Sequence, residues 1–402
     1  MTLVASLFLG SCSEALYDDS VEMGDGRDKG EYAYDADVSG GSGSDFGGGD
    51  NNHQGGEAGV LTAGEWRDLA HWDFWIEKIL GSQSFGEELS VWNFSTRGRV
   101  AVRVKNPSGA PLANVPVKLR IGSGDVWEAR TDNVGEANLW INLYGGEDSA
   151  EEAFFVVDGK EVKSIPVLVS AAKEDEAPIQ WNELTCTPSK TAASKADIAF
   201  IVDATGSMGD EIEFLKKDLQ AILTSVAQSQ SGIEIRTGAV FYRDEGDNYV
   251  TKSQDFSTSI SKTIEYIGKQ EASGGGDLPE AVHTALEVAL SDLSWNLDAR
   301  SRIAFLVLDA PAHGDRQKVI DSLQKSIRSF ARNGIRIIPV LASNSDKASE
   351  FMSRLFAIVT GGTYVFLTDD SGVGGEHLEA SVGEYQVEKL NELLIRLIAE
   401  FI

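Results

Sequence analysis

Residues 196–207 read A-D-I-A-F-I-V-D-A-T-G-S, a run from Ala196 to Val202 that is apolar but for Asp197, stops at Asp203 and leads into Thr205, Gly206 and Ser207. The run has the length and β-branched content of a buried strand. The next stretch is helical in period: Ile212, Leu215, Leu219 and Ile222 lie on one face of a helix starting near Gly209. The same alternation recurs downstream. Strands are expected at 233–241, 302–308, 335–341 and 363–367, and helices around 257–268, 279–290, 316–332, 347–359 and 383–401. Apolar strands alternating with amphipathic helices make an α/β fold, a doubly wound, mostly parallel sheet covered on both faces.

Open sheets of this kind carry their sites at the carboxyl ends of the strands. Asp203 stands at such an end, with the hydroxyls of Thr205 and Ser207 two and four residues on. Asp309 ends the strand Phe305-Leu306-Val307-Leu308, and Asp277 sits in a glycine-rich loop, Gly274-Gly275-Gly276-Asp277. Hard oxygen donors in a tight turn suit Mg²⁺, with Mn²⁺ or Ca²⁺ as alternatives. Asp277 has a second reading, because Asp277 and Glu280 with Pro279 between them also have the spacing of a helix N-cap pair. His313 reads as a loop residue, and Asp244 as a partner for Arg243 or for backbone.

From about 197 to 402 the chain resembles a von Willebrand factor type A domain. Asp203, Thr205 and Ser207 match the D-x-[S/T]-x-S signature of that family's metal-ion-dependent adhesion site, and Asp309 falls where its later aspartate is expected. The strings G-G-G-D-L-P-E, L-D-A-P-A-H-G and A-V-F-Y-R-D resemble the subgroup found beside alpha-kinase domains and in several bacterial proteins. The resemblance implies a divalent ion held by Asp203, Thr205, Ser207 and Asp309, with Asp277 replacing the usual threonine, and recognition of a protein through a partner's carboxylate.

Ahead of this domain, 171–196 reads as a polar linker and 97–170 as a small antiparallel β-sandwich, with alternation at Val100, Val102 and Val104 and again at Val115, Val117, Leu119 and Ile121. Further strands are expected around Leu139, from Phe154 to Val157 and from Ile165 to Val169. V-x-V-x-N-P-S-G-A-P-L-A-N-V-P-V followed by T-D-N-V-G-E-A resembles carboxypeptidase-regulatory-like modules, which implies a spacer without peptidase activity. Residues 61–96 read as a helical, aromatic-rich connector: Thr62 and Glu65 have capping-box spacing, and Trp66, Trp72, Phe74 and Trp75 are read as docking the segment on a neighbouring domain. Residues 13–60 are acidic and then glycine-rich, the composition of a disordered tether. Residues 1–12 are too short an apolar run to cross a bilayer, so no transmembrane helix is expected there. They end in Leu-Gly-Ser-Cys, which resembles a bacterial lipoprotein signal with Cys12 as the lipidated residue; an apolar start without processing is the alternative.

Composition narrows the function. With 63 acidic against 35 basic residues the net charge is −28, which repels nucleic acid and anionic lipid. Two cysteines, one of them the lipidation candidate, give neither a disulfide scaffold nor a thiolate zinc centre. No G-x-x-x-x-G-K-[ST] element supports nucleotide hydrolysis. The sequence therefore reads as a non-enzymatic, lipid-anchored protein of the bacterial cell envelope, periplasmic or surface-exposed, that binds a protein or matrix ligand through its metal. Two alternatives stand beside it: a structural envelope component with a purely stabilising metal, and a metal-dependent hydrolase, which lacks a convincing base or nucleophile.

Overall fold

The computed structural model describes residues 61–145, 151–170, 179–276, 278–371 and 377–402. The candidate lipidation residue Cys12, the tether at 13–60 and Asp277 lie outside them.

The described chain enters the main sheet at once. Thr62–Trp66 is a strand, β1, and not the start of a helix. It pairs antiparallel with a strand some 300 residues later, Thr62 opposite Thr368 and Trp66 opposite Tyr364. The side chains read as a capping box make long-range contacts instead: the Thr368 hydroxyl donates to Thr62 Oγ1 at 2.9 Å across this pairing, and Glu65 accepts from the Thr363 hydroxyl at 2.8 Å and meets Arg396 of the last helix at 2.8 Å. Long-range ladder bonds have overridden a local pattern of only four residues.

Helical turns come next at α1 (Trp72–Phe74), continuing through Trp75–Ile79, and at α2 (Gly86–Trp92). Their aromatic residues are packing groups. Trp72 and Trp75 are fully buried, Trp75 stacks on Phe351 at 5.8 Å, and its Nε1 donates to Thr96 Oγ1 at 2.9 Å. Asp68, also buried, holds Arg354 in a two-point ion pair of 2.6 and 3.0 Å, and Arg354 reaches Glu350 at 3.2 Å.

The β-region comprises β2 (Arg99–Lys105), β3 (Pro116–Ile121), β4 (Gly124–Arg130), β5 (Glu136–Trp140), β6 (Ala153–Val157), β7 (Lys160–Val162) and β8 (Trp181–Thr185). They form a three-stranded sheet, β5-β2-β8, and a four-stranded sheet, β4-β3-β6-β7. Two expectations are corrected here. Strand β8 lies within the segment read as linker and runs parallel to β2, so the chain stays folded through it. Residues 165–169 form no strand; the Asn182 side chain brackets the Leu168 backbone instead, accepting from its N–H and donating to its carbonyl.

The α/β part comprises β9 (Ala193–Asp203), α3 (Gly209–Ser229), β10 (Glu234–Tyr242), β11 (Thr251–Ser257), α4 (Ile260–Ile267), α5 (Val282–Ser291), β12 (Ala299–Leu308), α6 (Gln317–Asn333), β13 (Arg336–Leu341), α7 (Lys347–Thr360), β14 (Tyr364–Thr368), β15 (Glu388–Lys389) and α8 (Leu390–Phe401). The sheet order is β11-β10-β9-β12-β13-β14-β1-β15: five parallel strands at the centre with antiparallel strands at both margins. Alternation along each strand divides the core. Ile198, Phe200 and Val202 face α3 and α8, whereas Ala199 and Ile201 face the layer of α5, α6 and α7. Helix α8 begins at Leu390, later than the spacing suggests, and leaves Tyr385 and Val387 exposed.

The β-region and α5–α7 share one apolar interior, which takes in Val102, Leu119, Trp127, Leu323 and Phe330. Tyr144 donates to the Gln324 carbonyl at 2.8 Å and Arg328 to that of Val126 at 2.7 Å. The described residues accordingly make a single compact unit.

Candidate functional site

Register brings the acidic strand ends together. Strands β9 and β12 are neighbours with Val202 opposite Val307, so Asp203 and Asp309 leave the sheet side by side. Tyr242, at the end of β10, pairs with Asp203 from the other side. The turn after β9 is built by its own side chains: Asp203 Oδ1 accepts from the Thr205 N–H at 2.8 Å and the Thr205 hydroxyl at 2.7 Å. The Arg243 guanidinium clamps the turn by donating to the carbonyls of Ala204 and Glu271 at 3.0 and 2.8 Å. Gly275, at φ +65°, passes so close that a methyl group there would sit 3.0 Å from Thr205 Cβ and 3.1 Å from Glu280 Oε1. The Ser207 hydroxyl stands beside the Asp309 carboxyl.

Asp203, Thr205, Ser207 and Asp309 are therefore neighbours. Glu280 joins them, although its spacing reads as part of a helix cap. Helix α5 starts only at Val282, with Ala281 at the cap position. Glu280 is instead held one step earlier, its N–H donating to the Pro311 carbonyl at 2.9 Å, and its side chain is buried. The signal was present in the sequence as an acid beside Pro279, but the local cap explains the same letters. Asp244 pairs with His313 Nε2 at 2.9 Å, not with Arg243.

Three carboxylate oxygens in this cluster, Asp203 Oδ2, Asp309 Oδ1 and Glu280 Oε2, are buried without a hydrogen-bond partner. Buried polar atoms are rarely left so. Burial, reinforced by the charge of Asp309, pushes Asp203 up to about 7 against the opposing influence of Thr205 and of the nearby Tyr242 hydroxyl. Burial and then the charges of Asp203, Asp244, Asp309 and Asp247 push Glu280 up to about 9. Asp309 is raised by burial, with Ser207 acting against it. Among the described residues no three His, Cys, Asp or Glu side chains are grouped to hold an ion by themselves. The donor set here is a mixed one, two carboxylates with two hydroxyls, and Glu280 adds negative charge alongside.

These shifts set a pH dependence. The folded protein keeps protons on Asp203 and Glu280 at pH values where the unfolded chain, with carboxyls near 3.8 and 4.5, has lost them. Stability must then fall as pH rises. In chelator, urea unfolding is expected to lose several kcal/mol between about pH 4 and pH 9; a profile flat over that window would contradict the acid cluster.

Residues 197–372 match the von Willebrand factor A domain family, and the chain carries such a domain. Two curated relatives align with the same region. An alpha-protein kinase of Dictyostelium discoideum is 29% identical over 178 residues, 43% of this chain and 28% of the kinase. A putative ariadne-like RING finger protein of Acanthamoeba polyphaga mimivirus is 30% identical over 192 residues, 42% of this chain and 18% of that protein. The chain thus spans under a third of either relative. Among solved structures, the conserved hypothetical protein BatB from Bacteroides thetaiotaomicron aligns at 11% identity and TM-score 0.36, covering 51% of this chain and 98% of that one. The pilus adhesin SpaC from Lactobacillus rhamnosus GG aligns at 12% identity and TM-score 0.35, covering 52% and 30%. No helix among the described residues is long and apolar enough to cross a membrane.

Proposed function

We propose that the acid and hydroxyl cluster at the carboxyl end of the sheet is a divalent-cation site through which this chain binds a protein or matrix ligand. The observation that carries the reading is the set of partnerless, buried oxygens on Asp203, Asp309 and Glu280. Carboxylates cannot accumulate unpaired in a low-dielectric site without protonating or meeting a cation. Asp203, Asp309, Thr205 and Ser207 would hold the ion, and hard oxygen donors favour Mg²⁺ over softer metals. When bound, the ion would supply an open coordination position to a partner's carboxylate.

The chain's own groups prepare this. Thr205 fixes one Asp203 oxygen and leaves the other bare. Ser349 Oγ donates to the Asp309 carbonyl at 3.2 Å and steadies that loop. Glu280 makes the cluster more acidic than a two-carboxylate site, which favours cation retention and weakens attraction for an acidic partner. Asp277, the next acid in the loop, extends the same argument. The match to a von Willebrand factor A domain supports a protein-interaction role.

In this reading the protein is not an enzyme, since its acids are accounted for as cation donors. Cys12 is the lipid attachment point, the glycine-rich tether spaces the folded part from the envelope, and the β-region is a carboxypeptidase-regulatory-like spacer. Crosslinked pull-down from an envelope extract tests the proposal, comparing Mg²⁺ with chelator and wild type with Asp203→Ala. Mg²⁺-dependent capture lost in the variant is expected. Capture that is indifferent to chelator would sink it.

A further inference from the structure

A second charged site lies far from these acids, where the β-region meets the α/β part. A cavity of ≈ 300 Å³ is lined there by five arginines, Arg67, Arg99, Arg103, Arg130 and Arg336, against two acids, Asp132 and Glu136. In a chain of net charge −28 that is a local reversal of sign.

The acids are partly engaged, and the charge of Asp132 also acts on Arg336. Asp132 Oδ1 accepts from the N–H groups of Val134 and Glu136 at 3.0 and 2.7 Å, and Glu136 is paired with Arg103 at 2.9 Å. Three arginines have partners of their own. Arg103 lies over the Trp181 ring at 3.9 Å, Arg130 donates to Asn114, and Arg99 donates to Asn138 Oδ1 and the Leu69 carbonyl. Arg67 has a long contact, 3.5 Å, to Glu400 and lies over the Phe401 ring at 5.5 Å.

Arg336 is the exception that defines the site. It is 4% exposed, at the start of β13, and has no hydrogen bond or ion pair among the described residues; its nearest aromatic contact is the Phe401 ring, 5.8 Å from the guanidinium carbon. A guanidinium carries five N–H donors in a planar fork that matches an oxyanion. Burying one without an acceptor is strongly unfavourable unless an anion completes it. Leu69, Ile179 and Val359 give the same cavity an apolar side.

We propose that this cavity binds a small organic oxyanion carrying two or more negative charges, with Arg336 as its central donor and Arg67 at the rim. Phosphate and carboxylate groups offer the same acceptor geometry to arginine, and the probes separate them. The site is independent of the acidic cluster, so the experiment is done in chelator.

Thermal unfolding and calorimetric titration of the full chain with inorganic phosphate, with citrate, and with sodium chloride at matched ionic strength read the outcome directly. A rise in Tm with phosphate or with citrate beyond that with chloride is expected, and whichever acts assigns the class. Arg67→Gln, at a partly exposed position, is expected to keep its ligand-free Tm and to weaken the anion about tenfold. Arg336→Met is expected to raise the ligand-free Tm, because a buried charge that only Asp132 offsets, without a hydrogen bond, is removed, and to abolish the response. No shift with either anion, or unchanged affinity in both variants, overturns the proposal. A fall in ligand-free Tm for Arg336→Met would mark a structural cation and overturn its assignment as the central donor.

Discussion

Asp203→Asn is expected to make the metal-free protein more stable and, in the same molecule, to remove its response to Mg²⁺. The carboxyl is buried beside Asp309, which pushes it up to about 7, and its outer oxygen makes no hydrogen bond although the Tyr242 hydroxyl lies near. At pH 8 the ionised group is therefore a cost to the folded state, and an amide of the same shape relieves it while still accepting the two bonds from Thr205. A gain of about 2 kcal/mol in chelator is expected from urea unfolding at that pH. The wild type should recover more than this when Mg²⁺ is added, and its decline in stability with pH should flatten, because a cation replaces the protons. Calorimetric titration should show affinity for Mg²⁺ at least a hundredfold weaker in the variant. Equal Mg²⁺ binding by both proteins would dismantle the cation-site reading, and lower stability of the variant in chelator would contradict the electrostatics.

The second large effect concerns the attachment of the N-terminal segment. Arg354→Ala leaves Asp68 and part of Glu350 buried without their counterion, where the intact group makes four hydrogen bonds to Asp68, Glu350 and the Ser381 carbonyl. Removing one partner of a buried ion pair costs about 3–5 kcal/mol, far above the value of a surface pair. Denaturant unfolding should register that loss. Arg396→Ala is the comparison: Arg396 pairs with Glu65 and Glu388 but is 42% exposed, and about 1 kcal/mol or less is expected there. Similar costs for the two would mean that the Arg354 group is open to water in solution.

The α/β part was legible because its strands are buried on both sides and therefore spell continuous apolar runs, as at Ile198–Val202 and Phe305–Leu308. The polar ends of those runs named Asp203 and Asp309 before any geometry was known. Strands β1 and β8 were illegible for one shared reason: each is defined by a partner remote in sequence, Tyr364–Thr368 for β1 and Ala101–Lys105 for β8. Thr62 and Glu65 carry a local helix signal that has no means of reporting such a partner. Glu280 was hidden differently. Its letters fit a helix cap, and only the Pro311 carbonyl that holds its N–H turns it toward Asp203. The arginine cavity has no sequence motif, since its members come from the connector, two β-sheets and β13.

Strand β1 runs between β14 and β15, so the first described residues are laced into the far margin of the α/β sheet. Tension drawn through the backbone ahead of Leu61 would meet that ladder first and reach the β-region only after it. The rungs joining Thr62–Trp66 to Tyr364–Thr368 would act as the fastening, and β13 and β12 carry the strain on from there toward Asp309.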